Sequence, residues 1–177
     1  MAERAGNLVR YPERIVRFQM QQKWLSWGDS FVIQDEEGRE VLYVQGAVFS
    51  WGNQLSIREP GGLEVAEVKQ IVFSWGPTYE IYRNAALTAR VTKELFTFFH
   101  CRFAIDVPGP DDLEAEGDFW QHEYAIRRGA QIVATVSKQW FAWTDTYGVE
   151  VAPGEDAHLV LACAVVIDCC CHDKRND

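Results

Sequence analysis

LVLACAVVIDCCCHDK, residues 159–174, is the stretch whose reading decides the fold. Apolar or thiol side chains run unbroken from Leu159 through Ile167, and an acid, three cysteines and a histidine follow. Such a stretch fits a membrane segment, a metal site, a lipid-modified anchor or a buried helix. Length removes the first, because a span needs about 20 apolar residues and this run stops at Asp168. Just ahead of it, Pro153-Gly154-Glu155-Asp156 ends the preceding element. Asp156 is suited to cap a helix, and both acids suit its positive end. The helix expected over about 156–170 is apolar on every side, so other protein must surround it.

The rest of the chain reads as strands. SFVIQDEEGREVLYVQG is strand, acidic turn, strand, with Asp35 to Gly38 as the turn. QLSIREPGGLEVAEVKQIVF repeats the scheme around Pro60-Gly61-Gly62, and Leu63 to Val68 alternates as a half-buried strand does. TYEIYRNAALTARVTK and EYAIRRGAQIVATVSK place Asn-Ala and Arg-Gly between alternating runs. Between Ile15 and Val151 there is room for about eleven or twelve short strands, the pattern of an antiparallel barrel or sandwich. A barrel closed around one helix satisfies both halves of the sequence. VPGPDDLEAEGD, residues 107–118, reads as an acidic surface loop dividing the strands into two groups of about six.

Ser-Trp-Gly occurs at 26–28, 50–52 and 74–76, a period of 24, in the contexts KWLSWG, AVFSWG and IVFSWG. A fixed period of this kind marks a repeated hairpin. Trp27, Trp51 and Trp75 are expected to plug the barrel ends.

Composition bounds the function. The 177 residues are 47% hydrophobic and 13% aromatic, which suits one globular domain, here 8–173 with flexible termini at 1–7 and 174–177. A net charge of −9 disfavours nucleic acid and whole-surface docking on anionic lipid. No signal peptide opens the chain, and five cysteines, three of them consecutive, do not form a disulfide framework. A reducing, cytoplasmic compartment is expected.

KWLSWGDSFVIQDEEGREVLYVQG, KQIVFSWGPTYEIY, GDFWQHEYAIRRGAQIVATVSKQWF and DTYGVEVAPGEDAHLVLACAVVID together resemble the LURP-one-related (YxjI-type) family of the tubby carboxyl-terminal-like superfamily. Phospholipid scramblases are related to that superfamily. The resemblance implies a closed antiparallel barrel of about twelve strands around a central hydrophobic helix.

Candidate chemistry is sparse. Cys169, Cys170, Cys171 and His172 suggest zinc, yet adjacent helical residues point about 100° apart and cannot converge on one ion. Cys163 and Cys170 read as core thiols, and acylation of the exposed cysteines matches the scramblases in composition only. Asp145, Glu150, Glu155 and Asp156 lie where scramblase relatives place a calcium-binding stretch, but turn formation and capping explain them without metal. Lys69, Arg83, Arg90 and Lys93, on three neighbouring expected strands, are the candidates for a lipid headgroup, since tubby-type relatives suggest phosphoinositides. No nucleophile elbow, P-loop or HExxH is present. The sequence thus suggests a non-enzymatic binding or scaffold module without a cofactor, its partner a protein or a lipid. A peripheral phospholipid-binding module, calcium-assisted or not, is the alternative, with scramblase-like membrane activity behind it.

Overall fold

The computed structural model describes residues 14–25, 28–46, 54–97, 100–110, 112–139 and 146–172. Twelve strands precede one helix. They are β1 (Val16–Leu25), β2 (Gly28–Gln34), β3 (Glu40–Gly46), β4 (Gln54–Arg58), β5 (Glu64–Ile71) and β6 (Thr78–Arg83), then β7 (Ala86–Thr97), β8 (His100–Asp106), β9 (Leu113–Asp118), β10 (Glu123–Arg128), β11 (Gln131–Ser137) and β12 (Thr146–Val151). The helix α1 covers Ala157–His172. Each strand pairs antiparallel with its sequence neighbours, and β1 pairs with β12, Val16 opposite Val151, to close the barrel. Closure removes every sheet edge.

Alternation does the local work. On β10, Tyr124 and Ile126 point inward, and on β8 Phe103 and Ile105 do the same. Turn chemistry fixes the registers. The Asp35 carboxylate accepts from the amides of Glu37 and Arg39 at 3.0 and 2.9 Å, and Gly38 supplies the left-handed φ of +75°. Between β6 and β7, Asn84 and Ala85 take φ of 48° and 62°, the pair of left-handed residues that a two-residue hairpin requires.

The helix fills the barrel. Val160 to Ile167 are all at most 2% exposed, and α1 packs against β5, β7 and β12. An all-round apolar helix inside a ring of inward-pointing Ile, Val and Phe is the packed equivalent of a two-layer core. It runs two residues past the expected end, to His172.

Two expectations need correction. Residues 113–118 are not loop: LEAEGD is strand β9, with Leu113 and Ala115 buried, so its acids mark an outer face. Glu114 there accepts from Arg102 on β8 at 3.3 Å. The loop is therefore only 107–112, and it separates eight strands from four rather than six from six. The alternation expected over Leu63 to Val68 is present as half-buried β5, with Ala66 and Val68 inward and Leu63, just before the strand, exposed.

Candidate functional site

In an up-and-down barrel, connections alternate between two ends. The turns after even-numbered strands lie at the end where α1 begins, and those after odd-numbered strands at the end where it finishes.

At the starting end, α1 is clamped by charge. Asp156 caps the helix, its carboxylate accepting from the Leu159 amide at 3.1 Å. Arg83 donates to the same carboxylate through both terminal nitrogens at 2.5 and 2.8 Å. Arg128 holds Glu155 in the same forked manner, at 2.6 and 2.9 Å. Burial pushes the Asp156 carboxyl up, but the hydrogen bond from Arg83, the Leu159 amide and the Arg83 charge outweigh it and hold the pKa below its ordinary 3.8. Burial lowers the pKa of neighbouring His158, and the Arg83 charge lowers it further.

Asp156→Ala removes cap and ion pair together and is expected to cost about 1–3 kcal/mol in denaturant unfolding. The folded pKa is depressed, so the carboxylate stabilises the protein fully above its unfolded value. That contribution is lost as pH falls through the folded one. The variant should therefore show a flatter acid limb in stability against pH, and an unchanged acid limb would contradict the clamp.

At the finishing end, Lys93 donates to the carbonyl of Cys170 at 3.2 Å, a cation on the negative end of the helix. Its ammonium also lies 4.0 Å from Cys171 Sγ. One turn inward, Asp168 is buried and meets His122 Nε2 at 2.7 Å. His122 stacks on Tyr147 with ring centroids 4.3 Å apart. Burial, and next the nearby Asp168 charge, raise the hydroxyl pKa values of Tyr124 and Tyr147 well above 10.0. The pairing of His122 with Asp168 is not visible in sequence: 46 residues separate them, and His122 sits in the β9–β10 turn with a φ of 54°. Cys163 is buried as expected, its thiol pushed up to about 12 by burial. Among the described residues Cys171 is buried too, with Cys169 and Cys170 half-buried.

The four headgroup candidates do not converge. Arg83 and Lys93 reach opposite ends of α1, as described. Lys69 and Arg90 lie on the outer face, where Lys69, Glu80 and Arg90 are register neighbours on β5, β6 and β7. Arg90 donates to Glu80 at 2.7 Å, and Lys69 lies 2.8 Å from Glu67 and over the ring of Tyr82. Of the calcium candidates, Glu150 accepts from Arg17 on the outer face at 2.8 Å, while Glu155 and Asp156 bind arginines at the clamp. Asp145 lies outside the described residues, as does the side chain of His172. Among the described residues, no three His, Cys, Asp or Glu side chains gather into a metal-binding group.

A groove of about 700 Å³ runs over the outer surface beside the β2–β3 turn, lined by Arg17, Phe18, Gln19, Asp35, Glu36, Glu37 and Gly38. Its Asp35 is already held by Arg39 at 2.6 Å.

The third Ser-Trp-Gly copy is the described one, and each of its residues has a distinct place. Ser74 Oγ donates within the β5–β6 turn, to the carbonyl of Gly76 at 2.5 Å and that of Ile71 at 3.1 Å. Gly76 packs so closely on β7 that a Cβ would lie 2.8 Å from the Lys93 carbonyl oxygen. The Lys93 amide also donates to the Pro77 carbonyl at 2.9 Å. Ser and Gly thus hold the turn, but Trp75 is fully exposed, as is Phe73 at 97%, so Trp75 is not a barrel plug. Trp27 and Trp51 lie outside the described residues. Trp120, in the β9–β10 turn at the same end, is 64% exposed.

Among the described residues, no helix is long and apolar enough to cross a membrane. A barrel of this topology around a single helix has known counterparts. The chain is similar to the X-ray structure of an Arabidopsis thaliana protein, with a TM-score of 0.68 at 15% identity over 90% of this chain and 93% of that one. At that identity the likeness is one of fold. It is also 30% identical over 158 residues to the uncharacterized protein YxjI of Bacillus subtilis, covering 89% of this chain and 95% of that protein. The model of the LURP-one-related family matches residues 16–168, from the first residue of β1 to the buried acid of α1. With the barrel and most of the core helix inside that match, the chain belongs to the LURP-one-related family.

Proposed function

We propose that the protein is a non-enzymatic binding module that works from its outer surface and loop ends. The observation that carries this reading is the filled axis: Val160 to Ile167, at most 2% exposed, occupy the space where a barrel would otherwise hold a ligand. The His122–Asp168 pair, which resembles part of a catalytic constellation, is buried where the β9–β10 turn meets α1, with side chains 10% and 5% exposed. It serves packing. The thiols of Cys163, Cys169, Cys170 and Cys171 suit a reducing compartment, and the cytoplasm is the compartment this reading favours.

The test is a photo-crosslinking amino acid placed in living cells at Phe73 and Trp120 on one end and at Leu63 and Ile132 on the other. A discrete protein or lipid adduct from one end and not the other is expected. Absence of any adduct at all four positions would overturn the reading.

A further inference from the structure

The β5–β6 turn spends its Ser and Gly on holding itself against β7 and leaves Phe73 and Trp75 in water. Among the described residues, none covers those two rings. Two large aromatic side chains two residues apart, at the tip of a braced turn, expose apolar area that a soluble surface ordinarily hides. Leu63, Leu87 and Ile132 are also exposed, but singly and as aliphatics, which is ordinary. The described aromatic residues with a large exposed surface, Phe73, Trp75 and Trp120, all lie at the end where α1 finishes.

Charge separates the two ends as well. Neither 72–77, VFSWGP, nor 119–122, FWQH, contains Lys, Arg, Asp or Glu. Lys93, close beneath the first of these turns, is turned to the helix carbonyl. By contrast, the turns of the opposite end include Asp35, Glu36, Glu37, Glu59 and Asp112. In sequence, the segment joining β3 to β4, AVFSWGN at 47–53, is likewise uncharged and aromatic.

We propose that the end carrying Phe73, Trp75 and Trp120 docks on the interfacial region of a zwitterionic lipid bilayer, with the 72–77 tip inserted. An indole or phenyl ring at the level of the headgroups keeps its apolar body out of water, and the indole N–H stays hydrogen-bonded there. Lys138, in the β11–β12 connection, is a cation at this end, but the two aromatic tips themselves carry none. Such tips fit neutral headgroups, whereas an anionic headgroup, or a charged protein surface, would call for a cluster of cations around them. The shape favours a bilayer too. Protein interfaces are built on packed patches with a buried centre, while these rings stand on two separate turns at one end of the barrel. The acidic end then faces away from the membrane. This docking rests on the binding-module reading but differs from headgroup capture by Lys69, Arg83, Arg90 and Lys93, which would be electrostatic and salt-sensitive.

Flotation with vesicles of phosphatidylcholine alone is the experiment. The protein should float with them and continue to do so at raised salt. Phe73→Ser with Trp75→Ser should lower the partition by about tenfold or more, given the area of two rings. Leu63→Ser at the opposite end should leave it unchanged, and Phe73→Trp should raise it. Both tip positions are exposed, so an unchanged thermal midpoint shows that the double variant is folded. The proposal fails if the protein does not float with phosphatidylcholine, or if the double variant floats as well as the parent. It fails too if flotation needs anionic lipid and vanishes with salt, or if the tip substitutions dissolve a dimer instead. A protein adduct from Phe73 in cells without flotation would overturn the lipid docking and leave the binding-module reading standing.

Discussion

Val165→Asp and Ile167→Asp should each abolish soluble, folded protein. Both side chains are at most 1% exposed, on a helix enclosed by all twelve strands. An unpaired carboxylate there costs several kcal/mol even after it protonates, against a total stability of about 5–15 kcal/mol for a domain of ordinary size. Soluble yield and far-ultraviolet circular dichroism read the outcome. A graded companion is Leu161→Ala, 1% exposed in the parent, which should fold but lose about 2–5 kcal/mol in denaturant titration. A monodisperse, folded Val165→Asp protein would mean that the helix packs outside the barrel, and the architecture described above would be wrong.

The second large effect belongs to the buried pair. His122→Ala leaves the Asp168 carboxylate inside the barrel without the imidazole that meets it at 2.7 Å, and should cost about 3–5 kcal/mol. Replacing both partners, as in His122→Ala with Asp168→Leu, removes the stranded acid and should cost less than the single change. Urea unfolding of the two singles and the double gives the coupling directly. If the double were as unstable as the sum of the singles, the two residues would not be acting as a pair.

The fold was largely legible because its signals were local. Period-two alternation, turn residues such as Asp35-Glu36-Glu37-Gly38, and the all-round apolar run before Asp168 each constrain structure within a few residues. At 113–118 the acid content suggests loop, but the alternation of Leu113 and Ala115 with Glu114 and Glu116 is the better guide. The site was less legible because its determinants are long-range. Arg83 and Lys93 look alike to a charge count, yet one finds Asp156 and the other a helix carbonyl, 73 and 77 residues away. Trp75 looks like core by residue type, and only the turn geometry shows that Ser74 and Gly76 build a stalk for it.

Closure through β1 and β12 also sets an order of events during synthesis. Arg17 and Glu150, 133 residues apart, meet across the final seam. The helix that fills the barrel follows both in the chain. A nascent chain that has left the ribosome only as far as β12 has all its strands but lacks the residues that fill its lumen. The open sheet must therefore wait, with inward faces such as those of β8 and β10 unsatisfied, until α1 emerges. Non-local closure of this kind is slow and exposed to aggregation. Shielding of the emerging strands, more than the intrinsic strength of any one of them, is then what governs how much of the protein reaches its folded form.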